Sequence, residues 1–184
     1  MKREIEISKA NRLINSGNVI LVTSRYKEKT NIVTVAWHTP ISSKPPAVGI
    51  AIAKKHFSAE LIKKSGEFVI NIPDWELINQ VIFCGSHSGR DVDKFKETKL
   101  TQVEAREPIK VPKIGECIGS IGCTLIDWKE VGDHYLFIGE VLFAEAEEDI
   151  FKDYIWDTSK VRLIYHLGGD CFMKSSASVT VYNR

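Results

Sequence analysis

The chain has no excess of either charge. Its 25 lysines and arginines face 24 aspartates and glutamates, for a formal net charge of +1. No global field draws it to nucleic acid or to an anionic membrane, and neither is expected as a partner. Long hydrophobic runs are missing too. No stretch approaches the roughly 20 apolar residues that a membrane-spanning helix needs. The start, Met1-Lys2-Arg3-Glu4-Ile5-Glu6, carries no apolar signal segment, so a cytoplasmic location is expected. Cysteine is sparse and unpaired. Cys84, Cys117, Cys123 and Cys171 form no C-x-x-C module. Reduced, half-buried thiols are expected, not a disulfide framework or structural zinc. Also absent are a Walker phosphate loop and a G-x-S-x-G elbow. Gly115, Gly119 and Gly122 do not follow the G-x-G-x-x-G spacing of a dinucleotide-binding turn. They fall within an apparent strand and read as thin points where another group approaches closely.

What is present is ordinary for a globular chain: 184 residues, 43% hydrophobic and 27% charged. Residues 1–184 read as a single domain, without internal repeat, linker or low-complexity tract. Ser8 is placed to cap a short helix over Lys9 to Asn15, closed by Gly17. "VILVTS" reads as a buried strand, "RYKEKTN" as a polar connection and "IVTVAW" as a second strand of a hairpin. The prolines of "TPISSKPP" exclude it from a central strand, because they lack ladder donors. "AVGIAIA" and "EFVINI" read as further strands. Between them lies a helix with Ser58 at its cap position and Gly66 at its end. A second helix opens at Pro73-Asp74, with Leu77, Ile78, Val81 and Ile82 at helical spacing. Two long strands meet near Glu130 to Asp133, and Gly168-Gly169 forces a late turn. Consecutive strands with short helices between them indicate a mainly β, barrel-like antiparallel sheet with helices at its rim.

The stretch "FCGSHSGRDVDKF", residues 83–95, admits three readings: a metal site, an anion cradle or a solvated turn. Cys84 and His87 stand three apart, but no second ligand pair completes a tetrahedral zinc site, so no metal is expected. A Cys84–His87 nucleophile pair would lack an orienting third group. As a cradle, the glycines and serines let backbone N–H groups converge on a phosphate, with Arg90 and Lys94 supplying charge. A helix starting at Asp91 would add its N-terminus. Upstream, "AKKHFSAELI" offers Lys54, Lys55 and Ser58 where a strand runs into a helix, another place phosphates bind. The plain alternative is a serine that caps its helix beside solvated lysines. In "TVAWHTP", Thr34, Ala36 and His38 share one strand face, and Val35 and Trp37 share the other. Small and hydroxyl groups on one face let a flat ring lie against the backbone; the plain alternative puts Trp37 in the core.

Taken in order, "NIVTVAWHTPISSKPPAVGIAIAKKHFSAELIKKSGEFVINIP", "FCGSHSGRDVDKF", "GDHYLFIGEV" and "YHLGGDCF" resemble the flavin reductase-like family of FMN-binding split barrels, which includes flavoredoxins. The similarity runs from about Val19 to Phe172. It implies a six-stranded antiparallel split barrel of Greek-key order, a homodimer, and FMN near the subunit interface. It implies that Thr34, Val35, Ala36 and Trp37 line the isoalloxazine. Ala53, Lys54, Lys55, Phe57 and Ser58 would hold ribityl and phosphate groups. Cys84, Ser88, Gly89, Arg90, Asp91 and Lys94 would close over the same end. His134 of "GDH" and His166 of "YHLGG" become the candidate catalytic residues, approaching the ring.

The function implied is an FMN-dependent oxidoreductase, a flavin or ferric reductase or a flavoredoxin-like carrier. It would pass electrons from NAD(P)H or a redox protein to an acceptor such as free flavin or ferric iron. The alternative is a flavin-binding or sensing module without turnover. A pyridoxamine-phosphate oxidase-like enzyme would need a second basic cluster, which the sequence does not show. The long strands between Cys117 and Phe143 carry more apolar surface than one sheet face can hide, which also favours pairing of two barrels.

Overall fold

The apolar run that follows Gly17 forms β1 (Ile20–Tyr26), which turns straight back as β2 (Lys29–Val35). The computed structural model describes residues 17–153 and 155–176, so the helix expected over Lys9 to Asn15 lies outside the described residues. "RYKEKTN" is mostly strand and not a connection. Only Lys27 and Glu28 make the turn, Lys27 with a left-handed φ of 52°. Arg25 and Thr30 stand opposite each other, and Arg25 Nε donates to Thr30 Oγ1 at 3.0 Å, which lets charged residues sit in a strand end at the surface.

Beyond β2 come β3 (His38–Ser43), β4 (Pro46–Ala53), α1 (Phe57–Ser65) and β5 (Glu67–Ile72). A 3-10 turn (Trp75–Leu77) leads into α2 (Ile78–Ser86), and α3 (Lys94–Thr98) follows. Short β6 (Gln102–Val103) and β7 (Lys113–Ile114) precede two long strands, β8 (Gly119–Val131) and β9 (His134–Ala146). Two antiparallel pairs end the described chain: β10 (Phe151–Lys152) with β11 (Ile155–Trp156), then β12 (Ile164–Gly168) with β13 (Cys171–Lys174). No helix among the described residues is long and apolar enough to cross a membrane.

The main sheet is antiparallel, with order β2-β1-β5-β8-β9-β4-β3. Seven strands take part where six were expected, because the proline-bearing "TPISS" does form a strand. Among the described residues it pairs only with β4, at the sheet edge, with a register shift between Pro40 and Ser42. Proline is tolerated there because an edge N–H needs no ladder partner. The two edge strands are neighbours in the chain. Ala36 and Trp37 carry it from β2 to β3, and Ala51 N donates to Trp37 O at 2.8 Å, so the sheet closes on itself at that seam. The result is a split barrel.

The barrel interior is filled from facing strands and from α1: Val22, Val33, Ile50, Ile62, Phe68 and Phe137 are all buried there. A second cluster lies outside the wall, where Val81 and Cys84 of α2 and Phe95 of α3 pack on Leu21 and Ile32. Of the three patterned glycines, Gly119 and Gly122 lie in β8, where the sheet is thin, whereas Gly115 falls in the turn after β7 and not in a strand. A Cβ on Gly122 would stand 1.9 Å from the Phe143 ring. Gly139, outside that pattern, serves the same purpose against the fully buried Phe68. All four cysteines are free; Cys84, Cys117 and Cys123 are buried and Cys171 is exposed.

Candidate functional site

The seam creates a cleft of about 420 Å³. That lies in the range of small-molecule sites. Its floor is the end of β2 and the following link, Val33 to Trp37, together with Ala51 to Ala53 of β4. One wall is a face of α2: the buried Val81 with the exposed Ile82, Gly85 and Ser86. The helix seats closely on the floor because Gly85 has no side chain; a Cβ there would meet Thr34 at 3.3 Å. Thr34 Oγ1 donates to Val81 O at 2.6 Å and fixes the spacing between wall and floor.

The open end is aromatic. Trp37 is 41% exposed, so it does not take the core position that strand alternation allowed. The reason is local: β2 stops at Val35, and the chain turns at Ala36–Trp37 to reach β3. The His134 ring lies 4.9 Å from that of Trp37, and its Nδ1 is 2.7 Å from Asp133 Oδ1. His166, on β12, reaches the cleft from the other side together with Phe172. Its Nε2 sits 2.8 Å from Gly169 O. Both histidines thus come to the cleft within one chain.

The inner end is polar and cationic. His56, at the N-terminus of α1, lines the cleft. Its imidazole is held below the ordinary 6.5, first by burial and then by the positive charges of Lys94, Lys55, His134 and Arg90. The unfolded chain therefore binds this proton more readily than the folded one, in the window below pH 6.5 and above the folded value. Stability is expected to fall as pH drops through that window and to level off below it. Urea midpoints measured from about pH 7.5 to about pH 5.5 check this, and His56→Gln should flatten the decline.

Behind His56 lies a fully buried polar group. Asn31 Nδ2 donates to Ser58 Oγ at 2.9 Å, and Ser24 Oγ donates to Ser58 Oγ at 3.1 Å. Ser58 is therefore not the cap of its helix. His56 holds that position without a side-chain bond, while the Ser58 hydroxyl points inward. Asn31 Oδ1 is buried without a hydrogen-bond partner. Gly89 passes directly over it; a Cβ there would lie 2.0 Å from Oδ1. An unpartnered acceptor of this kind is rare in a folded chain.

The stretch from Phe83 to Phe95 is less of a loop than its composition indicates. Phe83 to Ser86 belong to α2. No helix starts at Asp91; α3 begins at Lys94, with the Asp93 side chain accepting from Lys96 N. Arg90 ties this stretch to α1: Nη1 donates to Lys55 O at 2.9 Å and Nη2 pairs with Glu60 at 3.1 Å. Ser88 Oγ accepts from Arg90 N. Phe57, Gly89, Arg90 and Asp91 border a second, smaller cavity.

Ten of the fifteen expected cofactor contacts do not line the cleft: Phe57, Gly89, Arg90 and Asp91 border the second cavity instead, and Lys54, Lys55, Ser58, Cys84, Ser88 and Lys94 line neither. Lys94 is 3% exposed and its Nζ donates to Ile32 O and Cys84 O, both at 2.7 Å. The Cys84 thiol is buried, and burial pushes it up to about 11 against the pull of Lys94, so it is no nucleophile. Its supposed partner, His87, stacks instead on Phe83 at 4.0 Å. Lys54 pairs with Glu130. Conversely, His56, Asn31 and the Gly85–Ser86 wall were not assigned to the site from sequence. The one signal for them was position: Asn31 opens the strand that leads to Thr34, and His56 sits within "KKHFS".

The fold is that of a split barrel with a cleft at its seam. Residues 12–166 match the family model described as the flavin reductase like domain, and the chain belongs to that family. It is 34% identical to the uncharacterized protein YddH of Escherichia coli, over 96% of each chain. Among solved structures, flavoredoxin of Desulfovibrio vulgaris is 26% identical, with a TM-score of 0.80 over 89% of each chain. The FMN-binding protein of Thermus thermophilus, crystallised with 1-cyclohex-2-enone, is 23% identical and superposes with a TM-score of 0.87 over 99% of each chain, which establishes likeness of fold.

Proposed function

We propose that the cleft holds FMN and that the protein is an oxidoreductase. It would pass electrons from NAD(P)H or a redox protein to an acceptor such as free flavin or ferric iron. The observation that carries this reading is the polarity of the cleft. A flat apolar floor with aromatic sides leads to an inner end lined by His56, where the positive charges of Lys94, Lys55 and Arg90 are close enough to hold its imidazole down. These residues fit a flat ring carrying a phosphate tail. FMN, when bound, supplies the electron-transfer chemistry.

The chain's residues do the rest. Thr34 to Trp37 and Ala51 to Ala53 offer a low floor for the ring. Ser88, Gly89, Arg90 and Asp91 would border the phosphate end, with Ala53, Lys55 and Phe57 flanking it, while the buried Ser58 supports Asn31 from behind. Val81 and Ile82 exclude water from the inner wall. Asp133 holds His134 at Nδ1, and the ring lines the cleft, where it would hold or deliver a proton to an acceptor. His166 flanks the same space.

Titration of purified protein with FMN and with riboflavin tests the assignment by flavin fluorescence. FMN should bind at least about tenfold tighter, since a charge-assisted phosphate contact contributes roughly 1.5–3 kcal/mol. Equal affinities would remove the phosphate end from the reading. Anaerobic mixing of the FMN-loaded protein with NADH or NADPH then separates a nicotinamide-driven reductase, which bleaches rapidly, from a carrier fed by a redox protein. FMN-loaded protein that no donor reduces would favour a binding module instead.

The same proposal includes a homodimer. Ile126, Trp128 and Val131 on β8 are 51%, 37% and 62% exposed, and Leu142 on β9 is 41% exposed. A second copy covering them would hide apolar surface of the kind stable interfaces bury. Sedimentation should report twice the 20.8 kDa chain mass.

A further inference from the structure

One end of the barrel is stoppered by a helix. α1 joins the end of β4 to the start of β5, and its Ser58 meets Ser24 on β1 and Asn31 on β2. The other end is where β1, β4 and β8 begin and β5 finishes. It holds a cavity of about 460 Å³. The walls are the inward side chains Ile20, Val48, Ile70, Ile72 and Ile121. Val48 and Ile121 pack with the core yet stay partly exposed, because this space lies in front of them. Trp156 closes one side. It seats on Gly119, where a Cβ would meet its ring at 3.3 Å, and packs on Phe151 with ring centres 4.7 Å apart. The cavity is separate from the cleft. At the seam, Val19 and Trp37 line the cleft, whereas their chain neighbours Ile20 and His38 line the cavity, so one wall divides the two spaces.

The lining decides what this space can take. Among the described residues, no charged side chain borders it. An ion would lose its water there and find no counter-charge, so the fitting occupant is neutral. Aliphatic walls favour hydrocarbon over water. Polar side chains come from Asn18, His38 and Thr39 alone. Thr39 Oγ1 is spent on Pro40 O. His38 Nε2 lies 2.5 Å from Asn18 O. A carbonyl only accepts, so Nε2 carries the hydrogen, and Nδ1 of the neutral ring is left as an acceptor. The site therefore offers one fixed acceptor beside an apolar chamber. Mouths of β-barrels are favoured places for small-molecule sites, and the volume falls within their usual range.

We propose that this mouth is a separate ligand site, which takes a neutral, mainly hydrocarbon molecule whose single hydroxyl donates to His38 Nδ1. The proposal does not depend on what the cleft binds.

Isothermal titration of the full chain with n-octanol and with heptyl methyl ether tests it. The two probes match in length, and only the alcohol has a donor. One n-octanol per chain should bind, about fivefold tighter than the ether, the worth of one neutral hydrogen bond. His38→Leu should bring the two affinities to within about twofold by weakening the alcohol. Ile121→Trp should weaken both probes at least about tenfold by filling the space. Val48→Phe should do the same from another strand, in case the first substitution disturbs the barrel. Far-UV circular dichroism reports whether each variant is folded. A full chain that binds neither probe overturns the proposal and leaves the mouth to another segment of chain or to a second copy. Equal affinities of the wild type for the two probes overturn it as well. So does a preference that His38→Leu leaves intact, or binding that neither filling variant weakens.

Discussion

Replacing Lys94 by Met should destabilise the ligand-free protein by about 3 kcal/mol, lowering the urea midpoint with an unchanged slope. The ammonium is almost wholly buried and donates to two main-chain carbonyls, Ile32 O on β2 and Cys84 O near the end of α2. Cys84 O is one of the last carbonyls of its helix, the position where a cation is favoured and a partner is needed. Methionine matches the length of lysine but leaves both acceptors buried and unmet. Burial also lowers the Lys94 pKa, with the nearby Cys84 acting in the opposite direction. The folded chain thus releases this proton more readily than the unfolded one, so the wild type should gain stability as alkaline pH crosses that window, and Lys94→Met should not. Were Lys94 a direct phosphate ligand, the substitution would leave the empty protein as stable as wild type and weaken FMN alone. The two outcomes separate a strut from a ligand contact.

Gly89→Ala should weaken FMN binding by about ten- to a hundredfold while riboflavin loses much less. No positive φ is involved; the constraint is contact. The added Cβ would stand 2.0 Å from Asn31 Oδ1, and that side chain cannot retreat because its Nδ2 is bound to Ser58 deep in the barrel. The segment carrying Ser88 to Arg90 must lift instead. Overpacking of this kind typically costs about 1–3 kcal/mol. Here it should appear mainly as lost phosphate affinity, because the displaced backbone borders the phosphate end and not the ring floor. Isothermal titration with both ligands reads the difference directly. Equal losses for FMN and riboflavin would place Gly89 in general support of the cleft.

The strands were legible wherever apolar residues ran together, as in "AVGIAIA" and "EFVINI", because burial on two faces leaves no other use for such runs. The fold class followed, and the helix stop at Gly66 showed in the sequence as well as in its left-handed φ of 73°. What escaped depended on distant partners. A serine one residue into a helix looks like a cap, yet Ser58 finds Ser24 and Asn31, 34 and 27 residues upstream. A lysine in "DVDKF" looks solvated or ligand-bound, yet its acceptor at Ile32 is 62 residues away. The β3 strand was obscured by its prolines, which are excluded only from central positions. In the site, the contiguous "TVAW" could be read because one short segment supplies the floor. The wall at Gly85–Ser86 could not, because glycine and serine in a polar context suggest a loop and only packing on Thr34 keeps them helical.

The edge strand β3 carries Pro40, shifts register before Ser42, and ends against Pro45 and Pro46. Such an edge cannot template a continuous ladder with another chain. At high concentration, or in crowded refolding, stacking of barrels through open backbone edges is therefore blocked on that side. Self-association is channelled to side-chain contacts on the sheet faces, a self-limiting geometry that protects the protein from fibrous aggregation.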